Sequence, residues 1–233
     1  MRKAMTWILL SLLAVSVVPV WAQRGAGQAN QGQNDPATCP NAAALAALQP
    51  LSQEEAASLA YMREEEKLAR DVYLALYERW GLSAFGQISQ SEQRHFDALG
   101  KAIARYDVSD PAANATAGVF STPKFLAMYA DLVGQGSASI LEALRVGAVI
   151  EEIDIIDLEE TLVVTDNADI ERVYTNLLLG SHNHLRAFVS HLQVLGVEYA
   201  PQYLGQDAFD AIINSETANG NGKAGRFGNF RKK

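Results

Sequence analysis

The chain lacks the features of several protein classes. With Cys39 as its only cysteine, it cannot form an internal disulfide bond. Its formal net charge of −8 argues against nucleic acid as a partner of the folded part, because an acidic surface repels phosphate. No segment alternates between apolar and polar residues like a half-buried strand, whereas helical spacing dominates from Leu51 to Asn214. The single cysteine and the absence of strand-like alternation favour a single all-α domain without disulfide bonds.

The two ends of the chain differ in composition from its centre. In residues 1–22 a charged start and an apolar run to Val18 precede the small residues "VWA". This is typical of an export signal cleaved after Ala22. A membrane anchor is the alternative, but the run is short for a membrane span. We therefore expect a periplasmic or secreted protein with no transmembrane span after cleavage, a flexible linker at 23–50 and a disordered, basic, Gly/Asn-rich tail at 215–233.

Four long and two short helices are predicted within residues 51–214. Ser52 and Glu55 form a capping-box pattern, and Gly81 follows the first helix as a stop. A second tight connection lies near Asp166, and each tight connection predicts an antiparallel pair of helices. The long helices are predicted at 52–80, 83–106, 137–164 and 167–196, and the short ones at 123–134 and 207–214.

The connection between the second and third long helices is much longer than the other two. It contains the short helix at 123–134, so it can carry the second pair of helices across to pack on the first. The pattern predicts an all-α, ferritin-like four-helix bundle with one long crossover between helices 2 and 3 and a short C-terminal helix.

Each long helix carries a stripe of residues three and four positions apart that is apolar except near the middle of the helix. Carboxylates in such a stripe are costly to bury unless they are paired or bind a metal. The exceptions are Glu66 on the first long helix, Glu92 and His95 on the second, Glu151 and Asp154 on the third, and Ser181 and His184 on the fourth.

These interruptions are expected to converge, because the midpoints of antiparallel helices lie at one level. Carboxylates and imidazoles that meet in a dry interior are the ligand set of a non-haem di-iron or di-manganese site. A buried salt-bridge network is the alternative, but the stripes contain no lysine or arginine to pair with the acids. Glu64 and Glu65 beside Glu66, and Glu152 beside Glu151, are expected to be solvated charges on outer faces.

Four segments carry a resemblance to known proteins. "EKLARDVY" (66–73) is similar to the first helix of rubrerythrins, and "FGQISQSEQRHFDAL" (85–99) to their second helix with its Glu-x-x-His. "GAVIEEIDIIDLEE" and "LLLGSHNHLRAF" resemble the third and fourth helices of a bacterial ferritin-like domain family of unknown function. Over roughly 51–214 the chain thus resembles the ferritin-like superfamily, and within it the rubrerythrin-like members.

The resemblance implies a site for two iron ions, with manganese or zinc as other occupants, in an oxidoreductase that acts on peroxide, oxygen or Fe(II). Tyr73 is expected to donate a hydrogen bond to a ligand or to be a redox-active neighbour, or else to be a plain core aromatic. Non-catalytic metal buffering, or a structural domain whose site has decayed, is the alternative function. The expected ligands are Glu66, Glu92, His95, Glu151, Asp154 and His184.

The fourth long helix departs from the pattern of the family. A full di-iron member carries a glutamate three residues before the position of His184, where this chain has Ser181. Asp154 is expected either to replace that carboxylate or only to accept a hydrogen bond from a ligand such as His184. The Cys-x-x-Cys module of rubrerythrin is also absent, so the expected partners are metal ions, peroxide or oxygen, an external electron donor and, as one option, a second copy in a homodimer.

Overall fold

A computed structural model describes residues 49–215, which are all-helical and contain no strand. The predicted all-α class is thereby confirmed for this part of the chain. The predicted signal peptide, nearly all of the predicted linker and nearly all of the predicted tail lie outside it. The six helices are α1 (Gln53–Trp80), α2 (Ser83–Arg105), α3 (Pro123–Gly136), α4 (Ile140–Val164), α5 (Ala168–Val194) and α6 (Gln206–Asn214).

Local signals set several of the helix ends. Ser52 and Glu55 form the predicted capping box, with the Glu55 amide 3.0 Å from the Ser52 hydroxyl and the Ser52 amide 2.8 Å from the Glu55 carboxylate. Gly81 ends α1 in the left-handed region at φ 65°. The start of α4 differs from the prediction: Ser139, not Ser137, caps it, because α3 continues to Gly136 and takes Ser137 as its own cap.

The four long helices pack as antiparallel neighbours. α1 lies against α2 and α4, and α5 lies against the same two helices. Along α1 and α2, Tyr77 is beside Gly86 and Glu66 is beside His95, so the two helices run in opposite directions. α4 and α5 pair in the same way, and the middles of all four helices therefore meet at one level.

The core is divided into two apolar clusters. One contains Tyr73, Phe85 and Phe188, and the other contains Leu59 and Tyr174. On α1, α2 and α5 the polar residues of the central level separate the buried residues of one cluster from those of the other, whereas on α4 Ile155 of the first cluster follows Asp154. Apolar packing therefore lies above and below the polar level, most of whose side chains are buried.

The outer face of α1 is covered by the crossover between α2 and α4, contrary to the expectation for Glu64. Its carboxylate is only 2% exposed and accepts hydrogen bonds from the Ser121 amide at 2.8 Å and the Thr122 amide at 3.1 Å. The Lys67 ammonium binds both the Asp71 carboxylate and the Thr116 carbonyl. These charges are buried because they supply partners to a loop backbone that would otherwise have none.

Glu152 was also expected on an outer face, and that expectation is wrong. It is fully buried, and its carboxylate accepts hydrogen bonds from the backbone amides of Gln202, Tyr203 and Leu204 and from the Tyr199 hydroxyl. The segment after α5 folds back over this side of α4 and covers it. Sequence periodicity along α4 does not indicate that another segment packs on this side of the helix.

None of the helices within residues 49–215 is long and apolar enough to cross a bilayer.

Candidate metal centre

Two groups of potential ligand atoms meet at the central polar level. The first consists of Glu66, Glu92 and His95, and the second of Glu92, Glu151 and His184. Within each group the three ligand atoms lie within 4.8 Å of one another. Glu92 belongs to both groups, so its two carboxylate oxygens connect them.

Each group draws its side chains from neighbouring helices. Glu66 on α1 faces the Glu92 and His95 pair on α2, where a spacing of three residues puts both side chains on one side of the helix. Glu151 on α4 faces His184 on α5, and α5 in turn packs on α2 at Glu92. The structure thus brings together five of the six predicted ligands, one or two from each long helix.

Glu92 lies between the two histidines. Its Oε2 is 2.8 Å from Nδ1 of His95, and its Oε1 is 2.7 Å from Nδ1 of His184. The planes of the two imidazole rings are inclined by 29°, with centroids 5.5 Å apart. Both Nδ1 atoms therefore lie close to the same carboxylate, each beside a different oxygen.

Several of these buried atoms have no hydrogen-bond partner within the described residues, namely Glu66 Oε1, Glu92 Oε1 and His184 Nδ1. The last two atoms are only 2.7 Å apart, yet their groups are not aligned for a hydrogen bond. Unpartnered polar atoms are costly in a protein interior. Close, misaligned oxygen and nitrogen atoms fit a shared cation better than they fit one another, so the donor set suits a bound metal.

The pKa values show how strongly these groups act on one another. Burial works to raise the pKa of Glu92, but His184 and His95 outweigh it and hold that pKa well below its usual range. Burial works to lower the pKa of His184, whereas Glu92 and Glu151 raise it to about 10. Burial and the charge of Glu92 raise the pKa of Glu151 to about 7. In the metal-free protein, protons bound to these groups therefore balance negative charge that a metal cation could balance instead.

Tyr73 supports one of the carboxylates directly. Its side chain is fully buried, and its hydroxyl donates a hydrogen bond to Glu151 Oε1 at 2.6 Å. The ring packs against Phe85 and Phe188. It is thus both a core aromatic and a hydrogen-bond donor to a potential ligand, which leaves Glu151 Oε2 to face His184 at 3.5 Å.

Asp154 and Ser181 form a separate buried pair beside the two groups. The Ser181 hydroxyl donates to Asp154 Oδ2, and Asp154 is in neither three-residue group. Burial and the charge of Glu151 raise the pKa of Asp154 to about 8. Its predicted hydrogen bond with a ligand histidine is not formed, and its predicted role as a direct ligand stays a prediction.

Comparison with known proteins places the chain in a family. Residues 55–216 match the family described as "Uncharacterized protein domain (DUF2202)". The chain belongs to the DUF2202 family. It is 51% identical over 172 residues to "Uncharacterized protein MJ0754" of Methanocaldococcus jannaschii, which covers 74% of this chain and 93% of that protein.

A solved structure shares the fold of this DUF2202 chain. It is the crystal structure of hypothetical protein MJ0754 from Methanococcus jannaschii DSM 2661, with a TM-score of 0.71 and 51% sequence identity. The similarity covers 72% of this chain and 97% of that one. Nearly the whole of the related protein therefore corresponds to the helical part of this one.

Gly180 is a site residue that the sequence analysis missed. A Cβ atom on Gly180 would lie 2.5 Å from both Cε1 and Nε2 of His95 and 3.9 Å from Cε1 of His184. The His95 ring therefore packs directly on the backbone of α5. The available signal was a glycine inside a predicted helix, which costs about 1 kcal/mol relative to alanine and so indicates a close approach.

We expect Gly180→Ala to displace the His95 ring and weaken metal binding by the group that contains it, while the Glu151 and His184 group still binds. Alanine is the better helix former, so the unfolding midpoint of the metal-free protein should fall little or even rise. Metal titration and thermal unfolding measure the two effects. Gly134→Ala is the matched control, since a Cβ there meets nothing within 4 Å. Equal metal affinity in both variants would contradict this role of Gly180.

Metal binding is expected to release protons. The pKa of His95 is raised by Glu66 and Glu92 against the opposing effect of burial, and that of His184 is about 10, so both rings are protonated at neutral pH. A ligand histidine must be neutral and a ligand carboxyl group ionised, so filling the centre should release about two protons from the imidazoles. Further protons should come from Glu66, whose pKa burial raises, and from Glu151 as the pH falls through its pKa of about 7. Apparent affinity should therefore increase with pH. Titration in weakly buffered solution with a pH indicator counts the protons, and release of none would contradict the expectation.

Proposed function

We propose that this DUF2202 protein is a di-metal carboxylate protein of the ferritin-like type, with iron as its metal. One observation carries the proposal: Glu92 links two groups, each of which adds one carboxylate and one histidine Nδ1. A carboxylate shared by two such groups suits two cations held side by side. A single metal ion would leave one histidine and one buried carboxylate unused.

The helix arrangement supports the ferritin-like part of the proposal. Four long antiparallel helices contribute inward-facing carboxylates and histidines, and one long connection joins α2 to α4. Ferritin-like four-helix bundles have this single long crossover and build their sites from a Glu-x-x-His pair and further glutamates. Glu92 and His95 form such a pair, while Ser181 and His184 keep only its histidine.

The types of ligand atom support iron or manganese. Three carboxylates and two imidazoles make a mainly oxygen site with some nitrogen, which suits Fe and Mn in their divalent states. Zinc remains a competitor because affinity generally rises toward the end of the first-row series. The metal held in the cell then depends on supply as well as on the site.

We further propose that the protein is an oxidoreductase that uses peroxide or oxygen. Iron held by the two groups would supply one-electron chemistry, and reduction of one hydrogen peroxide with two protons to two waters would require one electron from each of two Fe(II) ions. The chain would orient the site through Glu92 and, by means of the hydrogen bond from Tyr73, through Glu151. The apolar clusters above and below would limit the access of water.

Metal binding without turnover is a second candidate function, and Ser181 favours it. A serine in place of the expected glutamate removes a carboxylate from the His184 side, and its hydroxyl is occupied with Asp154. The two positions would then hold metal unequally, as suits a protein that buffers a metal.

Peroxide-dependent oxidation of Fe(II) separates the two candidates. The anaerobic protein loaded with Fe(II) would be mixed with hydrogen peroxide, and Fe(III) absorbance followed. An oxidoreductase should consume one peroxide for every two Fe(II) and repeat the cycle after chemical reduction. Oxidation no faster than for free Fe(II) would leave the buffering function. Tyr73→Phe, which removes only the hydroxyl, tests whether the hydrogen bond to Glu151 matters to the rate.

We also propose that the protein is exported. The leader-like residues 1–22 support action outside the cytoplasm, where an external donor would have to supply electrons. A mature N-terminus at Gln23, determined by mass spectrometry of the protein from its natural host, would support this part, and an intact N-terminus would overturn it.

A further inference from the structure

The two groups of potential ligands differ in the helices that supply them. Glu66, Glu92 and His95 all belong to α1 and α2, which a short turn joins and which we name the first hairpin. Glu151 and His184 belong to α4 and α5, which another short turn joins and which we name the second hairpin. Packing within each hairpin is more extensive than packing between the hairpins. One group therefore lies within a single hairpin, whereas the other is complete only when Glu92 of the first hairpin meets the second hairpin.

Separation of the hairpins would affect the two groups differently. We call the place between Glu66, Glu92 and His95 the first position, and the place between Glu92, Glu151 and His184 the second position. If the hairpins move apart, the three ligands of the first position stay together, whereas those of the second position are divided. A ligand shifts an equilibrium between two arrangements only through its different affinity for them. An ion at the second position therefore opposes separation, and an ion at the first position does not.

At the central level, the second position also coincides with direct contacts between the hairpins. The Tyr73 hydroxyl on α1 donates to Glu151 Oε1 on α4 at 2.6 Å. Nδ1 of His184 on α5 lies 2.7 Å from Oε1 of Glu92 on α2, but the two groups are not aligned for a hydrogen bond. A cation bound by both of these atoms would replace an unsatisfied contact with bonds to both hairpins.

The hairpins also meet in the apolar cluster that contains Leu59 and Tyr174. Leu158 of the second hairpin and Ala102 of the first hairpin are both buried in this cluster. The hydroxyls of Ser58 on α1 and Tyr174 on α5 lie 2.8 Å apart beside it. Neither Leu158 nor Ala102 belongs to a ligand group, so substitutions there can report the separation of the hairpins without removing a ligand.

We propose that a metal ion at the second position acts as a clasp that holds the two hairpins together, whereas an ion at the first position does not. The inference rests on the proposed metal-binding function. The first position is assembled by one hairpin, so it can fill whether or not the hairpins are packed together. The second position fills only when they are packed together. The second ion therefore regulates how readily the centre opens.

Labelling of a buried thiol tests the clasp, with Mn(II) as the probe because this hard cation does not favour thiolate ligands. Leu158→Cys, combined with Cys39→Ser to remove the native thiol, places the reporter between the hairpins. Glu66→Ala leaves only the second position complete, and Glu151→Ala leaves only the first. The EPR signal of free Mn(II) gives the affinity of each variant, so each can be labelled with Mn(II) at about 100 times its dissociation constant.

Mn(II) should slow labelling about 100-fold in Glu66→Ala and leave the rate unchanged in Glu151→Ala, because only the former holds an ion across the hairpins. Ala102→Cys is a second reporter, from the first hairpin, and should give the same result if Leu158→Cys does not fold. Slowing as large in Glu151→Ala as in Glu66→Ala, or no slowing in either despite binding, would overturn the clasp and leave the metal centre standing. Absence of Mn(II) binding by the parent protein would overturn both.

Discussion

Glu92→Ala is expected to abolish binding at both metal positions. Its two oxygens reach His95 at 2.8 Å and His184 at 2.7 Å, so the substitution removes a ligand from both groups at once. It also removes a carboxylate that, together with Glu66 for His95 and Glu151 for His184, raises the pKa values of the two imidazoles. We expect affinity to fall by more than about 100-fold at both positions, beyond the loss typical of a hydrogen-bonding neighbour of a ligand. Isothermal titration with Mn(II) measures this.

Single-group variants provide the control for Glu92. Glu66→Ala and Glu151→Ala each remove a ligand from one group only, so each should lose about half of the bound metal. Glu160→Ala, on an exposed face of α4, should lose none. If Glu92→Ala lost no more metal than Glu66→Ala, Glu92 would not be shared between two positions.

Glu152→Ala is expected to cost about 3 kcal/mol or more in free energy of unfolding. The buried carboxylate accepts hydrogen bonds from three consecutive backbone amides, at 2.9 Å from Gln202, 2.7 Å from Tyr203 and 2.8 Å from Leu204. Truncation would leave these amides and the Tyr199 hydroxyl without their acceptor, and each bond to a charged group contributes about 1.5–3 kcal/mol. Chemical denaturation of the metal-free protein measures the loss.

Glu152→Gln separates charge from shape. It keeps one acceptor oxygen in the same place, so its loss should lie between those of the parent and Glu152→Ala. A loss below about 1 kcal/mol in Glu152→Ala, similar to that of an exposed substitution, would contradict the anchoring of the segment after α5.

The helices were predictable because their signals are local. Ser52 with Glu55 and the glycine at 81 determine the ends of α1 through neighbouring atoms, and the apolar spacing reports the side that faces other helices. The start of α4 was missed by two residues because Ser137 and Ser139 are equally good caps. The choice between them depends on how far α3 extends, which is not a local property.

The meeting of the site residues was predictable for a related reason. Glu66, Glu92 and Glu151 interrupt apolar stripes. A carboxylate that is buried without a nearby cation is costly, so it indicates a site that apolar packing alone does not explain. The hydrogen bond between Ser181 and Asp154 was not predictable, because it depends on the rotation of α5 against α4 by a fraction of a residue spacing. Periodicity does not determine that rotation.

The buried charges on outer faces could not be predicted from periodicity. Glu64 and Glu152 lie on the sides of α1 and α4 that face away from the neighbouring long helices, and irregular segments cover them. Their partners are backbone amides, which every sequence has and no sequence pattern reveals. The burial of Glu65 was not predicted for a different reason, because this residue lies at the α1 and α4 interface between stripe positions.

The metal content of the protein tests the central proposal most directly. The metal-free protein would be loaded anaerobically with excess Fe(II), desalted and subjected to elemental analysis, with protein concentration determined by amino-acid analysis. Two groups that share Glu92 predict two iron ions per chain. A ratio of one would contradict the paired site, and a ratio of zero would contradict a metal centre altogether.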